Sequence, residues 1–262
     1  MNVVVCVKYV PDAQSARGFN DTDSTTDRLG VEGRLSETDE YAVEEGLRRA
    51  GPDGGVVVVT VGPGPAVEAV RRALQMGAHR AVHVCDDDIH GSDALATSLV
   101  LAAAVRKAGG DALPDLVLMG MSSTDGVMGV VPAMVAERLG VPQVTFVSRL
   151  TIEGTRLIAR RDSDTASDTI EANLPAVVSV TDQINEPRYP SFKDIMAAKR
   201  KPVDVWTLAD LGIDRSSVGL GATRARVRSV VRRPPRGRAT IVADEGQAGA
   251  TLARFLTDGH FI

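Results

Sequence analysis

Short apolar-rich runs recur along the chain, at 3–7, 56–61, 81–84, 116–119 and 144–147. Each is short and most are rich in valine, so each predicts a strand buried on both faces. Between the runs the spacing becomes helical. Val43, Leu47 and Ala50 form one stripe that Gly51-Pro52 ends, and residues 66–76 form a second, with Arg71 and Arg72 outside and Gly77 as the stop. An Ala-rich stretch at 93–108 forms a third, with Ser92 as its expected N-cap, and Val130, Met134, Ala136 and Leu139 form a fourth before Gly140. Ser36 and Asp39 have capping-box spacing at the start of the first helix. The alternation predicts an α/β fold, a mostly parallel, doubly wound sheet with helices on both faces. The polar stretch 12–34 reads as a long excursion with little structure.

After residue 150 the pattern changes. Residues 157–160, 169–172 and 176–180 read as shorter strands, the first two a hairpin around the acidic turn 162–168. Asn185-Glu186-Pro187-Arg188-Tyr189-Pro190 is a non-helical loop because of its two prolines, and 193–201 reads as a short basic helix stopped by Pro202. Residues 203–243 have weak periodicity, and Leu252, Phe255 and Leu256 restore a helical stripe near the end. This divides the chain into an α/β domain at 1–204, which includes the loop at 184–200, and an arm at 205–262 that lacks a core of its own. Such an arm is expected to pack on a partner subunit.

Composition narrows the class. Aromatic residues make up 3% of the chain, so valine, alanine and leucine must fill the core. A net charge of -4 gives no basis for nucleic-acid binding by the chain as a whole. Eight arginines between Arg215 and Arg238 form a basic run, but it lacks interleaved aromatics and reads as a solvated or partner-facing arm. The two cysteines, Cys6 and Cys85, offer no disulfide framework and fit a reducing compartment. The chain opens directly on a strand rather than a signal peptide, and no apolar run approaches the ~20 residues of a membrane span. A cytoplasmic protein is expected.

Conventional catalytic chemistry finds no support in these residues. No Gly-x-Ser-x-Gly or phosphate-loop motif is present, and Gly62-Pro63-Gly64 has Val67 where a dinucleotide fingerprint needs its third glycine. His79 and His83 are four apart but separated from any helix by Gly77, while Cys85 and His90 lack a partner pair, so no metal site is expected. The stretch from 116 to 139 is different. A buried strand breaks at Gly120, a polar turn follows through Ser122, Ser123, Thr124, Asp125 and Gly126, and a helix begins after Gly129. That geometry presents free backbone N–H groups to an anion. Gly126 and Gly129 permit close approach, the hydroxyls add donors, and Asp125 can accept from a ribose or cap the turn. The turn reads either as a phosphate cradle for an adenine nucleotide or as an ordinary strand–helix loop.

Four segments carry a family resemblance. They are Val4-Val5-Cys6-Val7-Lys8-Tyr9-Val10-Pro11-Asp12, then Asp39-Glu40-Tyr41-Ala42-Val43-Glu44-Glu45, then Arg72-Ala73-Leu74-Gln75-Met76-Gly77-Ala78, and finally Asn185-Glu186-Pro187-Arg188-Tyr189 followed by Ile195-Met196-Ala197-Ala198-Lys199. In this order and spacing the chain resembles the β subunits of electron transfer flavoproteins, actinobacterial type, over nearly its whole length. The resemblance implies a Rossmann-like, adenine-nucleotide-binding sheet, and an electron carrier subunit without turnover chemistry of its own. It implies pairing with an α subunit that contributes most of the FAD site. It also implies electrons received from acyl-CoA dehydrogenases of fatty acid β-oxidation and passed to a membrane quinone oxidoreductase.

Carried over residue by residue, AMP (or a second FAD in bifurcating members) would touch Cys6, Ser36, Glu37, Thr38, Asp39 and Val61, together with Asp125, Gly126, Val127, Met128, Gly129, Val130 and Val131. The docking segment would be Asn185, Glu186, Pro187, Arg188, Tyr189, Phe192 and Lys199, with Phe192 in place of the family's anchoring leucine. Many members have acids and then Asn-Gln-Thr-Gly in the nucleotide turn. This chain has Asp-Gly-Val-Met-Gly-Val-Val there, so backbone amides must do more of the phosphate binding. A flavin-free nucleotide-binding regulatory module is the alternative reading of the same core.

Overall fold

The computed structural model describes residues 1–15, 18–52, 54–231, 234–235, 237–239 and 241–262. Among them, nine strands form one sheet: β1 (Asn2–Cys6), β2 (Gly55–Val61), β3 (Arg80–Val84), β4 (Leu116–Gly120), β5 (Gln143–Glu153), β6 (Arg156–Asp162), β7 (Ser167–Asn173), β8 (Ala176–Val180) and β9 (Val203–Trp206). Their order across the sheet is β7-β6-β5-β8-β4-β1-β2-β3-β9. All neighbours are parallel except β5–β6 and β6–β7. The helices are α1 (Glu37–Ala50), α2 (Val67–Met76), α3 (Ala94–Gly109), α4 (Val131–Leu139), α5 (Phe192–Ala198), α6 (Gly219–Ala222) and α7 (Ala248–Asp258). This is the doubly wound α/β sheet that the alternation predicts.

Two cores flank the sheet because successive strand residues point to opposite faces. Val3 and Val5 pack with Ala42 and Val43 of α1 and Ala69, Val70 and Leu74 of α2. Val4 and Cys6 pack with Val100 and Val105 of α3 and Val135 and Leu139 of α4. Each fully buried valine contributes roughly 1.5–3 kcal/mol, which is why runs of valine suffice without aromatic residues. Small residues let the layers close. A Cβ added to Gly46 of α1 would lie 2.8 Å from Val5 Cγ2.

Several expectations are corrected. The strand expected at 144–147 runs through Glu153, since the alternation of Leu150, Thr151 and Ile152 continues it into an antiparallel hairpin with β6. The 12–34 excursion is more ordered than its composition implies: Gly33–Leu35 pairs with Tyr9–Pro11, and Gly18–Phe19 with Thr26–Asp27. Asp93, not Ser92, caps α3 by accepting from the Ala96 amide at 3.0 Å, while Ser92 Oγ accepts from Gly219 N at 2.7 Å. One compact unit runs from Met1 to Arg228. β9 pairs with β3, and Leu208 and Val218 are buried in the core, which ties this stretch to the sheet. A second unit, Ser229–Ile262, holds α7, whose Leu252 and Phe255 are exposed, with the Phe255 ring 6.2 Å from that of Phe261. Of the basic run, Arg232, Arg233 and Arg236 lie outside the described residues. No described helix is long and apolar enough to cross a membrane.

The close approach of α1 to β1 makes a stability prediction. Gly46→Leu forces extra volume into a filled layer and lowers stability by about 1–3 kcal/mol. Urea unfolding should show a lower midpoint with an unchanged m-value.

Candidate functional site

Strand order reverses between β1 and β4, since β2 and β3 lie on one side of β1 and β4 on the other. In open parallel sheets, ligands bind in the crevice beyond the carboxyl ends at such a reversal. Lys8 follows β1 here, the first turn of α1 sits above, and the turn at 121–130 leaves β4. Asp39 joins all three. Its Oδ2 accepts from the Lys8 amide at 2.8 Å and its Oδ1 from the Gly120 amide at 3.1 Å. The capping box expected at Ser36 therefore does not form: Ser36 occupies the N-cap without a side-chain cap bond, because Asp39 is turned toward the strands. Gly120 is required by this approach, as a Cβ there would lie 2.5 Å from Asp39 Oδ1 and 2.7 Å from Thr38 Oγ1. Thr38 Oγ1 donates to the Ser122 carbonyl at 2.6 Å, adding a second tie between α1 and the turn.

A pair of cations organises the turn itself. Lys8 Nζ lies 2.7 Å from Asp125 Oδ1 and Arg28 Nε 2.8 Å from its Oδ2. The next residue joins too, with Gly126 N donating to the same Oδ1 at 2.7 Å. The Asp125 side chain is 1% exposed, so its carboxylate serves the protein and is not free for a ribose. Burial works to raise its pKa, but the two cations and the Ser123 hydroxyl outweigh burial and hold it well below the usual range. Burial lowers Lys8, with Asp125 opposing. Burial pushes Asp39 up to about 7 against the pull of its two amide donors. Cys6, raised to about 12 by burial and then by Asp39, is a core thiol.

Beyond Asp125 the chain is open. Val127 N donates to the Ser123 carbonyl at 2.9 Å. Among the described residues, no acceptor meets the amides of Met128, Gly129, Val130 and Val131. The side chains of Val127 and Met128 point into solvent, 66% and 60% exposed. Residues 126–128 and 130 are thus exposed, while the Asp125 side chain is buried. Of the other expected contacts, Thr38 and Val61 are half-buried, Glu37 is exposed, and Cys6, Ser36 and Asp39 are buried. The structure brings the α1 start and the 125–131 turn together. Lys8 and Arg28 complete the surroundings; sequence periodicity has no signal for their role, because each acts through a contact distant in the chain.

The second segment, 185–199, is anchored to α1. Glu44 Oε2 accepts from Arg188 Nε at 2.6 Å and Oε1 from its Nη2 at 3.1 Å, a two-bond clamp on a carboxylate that is nearly fully buried. Asn185 Nδ2 donates to the Tyr41 carbonyl and to Glu45 Oε2, both at 3.1 Å. Ser191 and Asp194 form a true capping box at the start of α5. The clamp leaves Tyr189 88% and Phe192 79% exposed, with Met196 beside them at 43%. Pro187 is half-buried, while Glu186 and Lys199 are exposed. His79 and His83 have backbone duties instead: His79 Nδ1 accepts from Val56 N at 3.0 Å, and His83 Nε2 lies 2.9 Å from the Gly62 carbonyl.

Residues 24–211 match the electron transfer flavoprotein domain family. Electron transfer flavoprotein subunit β of Mycobacterium bovis, and that of Mycobacterium tuberculosis, are each 45% identical over 97% of both chains. The Clostridium acetobutylicum subunit β is 32% identical over the full length of both chains. Caffeyl-CoA reductase-Etf complex subunit CarD of Acetobacterium woodii is also 32% identical, over all of both chains.

The two buried carboxylates respond oppositely to pH. Asp39 binds its proton more tightly folded than unfolded, so its ionisation costs stability as pH rises from 3.8 toward about 7. Asp125 binds its proton less tightly folded, so its contribution is present above 3.8 and is lost as pH falls below that value. The stability deficit of Asp39→Asn should therefore narrow on raising the pH. That of Asp125→Asn should stay constant above pH ~5 and shrink in acid. Denaturant midpoints across the pH range test both.

Proposed function

The chain belongs to the electron transfer flavoprotein family, and on that premise we propose that it is the nucleotide-holding β subunit of a heterodimeric electron carrier. Its partner is the α subunit, which contributes most of the FAD site. Flavin, when bound, carries the electrons; this chain positions, orients and docks. The observation that carries the reading is the row of four amides, at Met128, Gly129, Val130 and Val131, that find no acceptor among the described residues. They lie on an exposed turn at the mouth of the strand-order reversal, where an adenylate phosphate supplies the missing acceptors. The lack of Asn, Gln and Thr side-chain donors at residues 125–131 suits a backbone cradle. AMP is the occupant proposed, with a second FAD in its place if the complex bifurcates electrons.

Asn185, Glu186, Pro187, Arg188, Tyr189, Phe192 and Lys199 form the docking segment for acyl-CoA dehydrogenase-type flavoenzymes, and the electrons pass on to a membrane quinone oxidoreductase. One relative carries the name of a caffeyl-CoA reductase complex subunit, which supports a partner acting on CoA thioesters. Exposed aromatic groups on a rigid base are what such an interface uses as anchors. The exposed Leu252, Phe255 and Phe261 of the C-terminal unit suit packing against the α subunit.

Denaturing the purified heterodimer and weighing the released nucleotides tests the first part. One FAD and one AMP are expected; two FAD identify the bifurcating form, and a single FAD with nothing else overturns the nucleotide reading. Phe192→Ala should slow electron acceptance from the dehydrogenase about tenfold or more, the range of an interface anchor, without changing flavin content. Stopped-flow reduction against the parent protein decides it.

A further inference from the structure

Phe146 lies inside β5 yet has φ of 59°, on the left-handed side. Strand residues sit near −120°, and a bulky residue at positive φ costs roughly 1–2 kcal/mol. The conformation coincides with the register shift between β5 and β8, at Val178/Val180. The Phe146 amide, taken out of the ladder, donates to Ser179 Oγ at 3.1 Å. Ser179 is fully buried in β8, so the kink is pinned from the centre of the sheet. Such a bulge re-aims a side chain. It turns the ring to the rim, 39% exposed, while the next residue, Val147, fills the core.

The ring reaches the nucleotide turn. A Cβ placed on Gly129 would lie 3.1 Å from Phe146 Cζ, so the tip of the ring is against the Gly129 backbone. Gly129 is itself left-handed, with φ of 66°, and Val127, a β-branched residue, has φ of 52°. Three left-handed residues, two of them not glycine, therefore meet at one turn. Unfavourable backbone of this kind persists where surrounding contacts impose it, and it concentrates where a fixed geometry serves binding.

We propose that Phe146, pinned by the Ser179 hydroxyl, is a positioning residue that braces Gly129 and keeps the amides of residues 128–131 turned outward for a nucleotide phosphate. The proposal rests on the reading of that turn as the phosphate cradle. The ring fixes the backbone and does not itself hold the ligand.

The test uses the heterodimer with its α subunit, stripped of the AMP-site nucleotide and titrated with AMP by calorimetry. Phe146→Ala and Ser179→Ala should each weaken AMP about tenfold or more, the loss of one hydrogen bond to a charged group. Phe146→Tyr, which keeps the ring, should bind within about twofold of the parent. Phe146→Gly separates bracing from general stability. It removes the backbone cost without restoring the ring, so its unfolding midpoint should equal or exceed that of Phe146→Ala while AMP binding stays weak. AMP binding equal to the parent in Phe146→Ala overturns the proposal, as does affinity that recovers with stability in Phe146→Gly. So does loss of subunit assembly at unchanged affinity, which would make Phe146 a subunit contact. A parent heterodimer that takes up neither AMP nor FAD in this subunit removes the cradle reading and the proposal with it, a result distinct from a parent that binds and variants that bind equally.

Discussion

One buried carboxylate holds the carboxyl end of the sheet in place at its strand-order reversal. Asp39 sits in the first turn of α1 and takes an amide from the end of each strand that flanks the reversal, Lys8 after β1 and Gly120 at the end of β4. Strand ends have no further ladder partners, so without such an acceptor these amides would be buried and unsatisfied, at a cost of about 1–3 kcal/mol each. The carboxylate bears its own desolvation in return, which is why burial drives its pKa upward. The arrangement sets the spacing of the crevice and leaves Gly120 no room for a side chain.

Around that centre the charged groups are used internally and the backbone is left available. Asp125 ties the long excursion, through Arg28, and the end of β1, through Lys8, to the turn after β4. With its acidic group consumed in this way, the outer part of the turn offers an anion N–H groups rather than competing negative charge. Fixed donors in a strained loop need little reorganisation when a ligand arrives, which favours binding through preorganisation.

Much of this architecture was legible in the residues. Valine runs and helical stripes marked the parallel strands and their flanking helices, because burial on both faces leaves an unmistakable composition. The turn from Ser122 to Gly129 stood out for its small and polar residues. Other features had no local signature. Ser36 and Asp39 satisfied the spacing of a capping box, yet Asp39 went to partners 31 and 81 residues away. Asp125 looked like a ligand group and was instead claimed by Lys8 and by Arg28, 97 residues distant. Phe146 read as one more strand residue, since backbone sign is not written in side-chain pattern. The expected boundary after residue 204 cuts through the edge strand Val203–Trp206, because four residues with one exposed valine look like a linker until they find β3.

Helix α1 begins at Asp39's turn and, five residues on, carries Glu44, which clamps Arg188. At 1.5 Å per residue these attachments are roughly 7–8 Å apart along one stiff rod. The exposed aromatic groups of Tyr189 and Phe192 are consequently surveyed from the same datum as the turn after β4. Electron hopping through protein falls off steeply with separation, so a donor enzyme docked on those aromatic groups, as proposed, would take its distance from this rod. On the proposed reading, a nucleotide at the turn that never changes oxidation state would still matter to traffic, as the shim that keeps the gauge true.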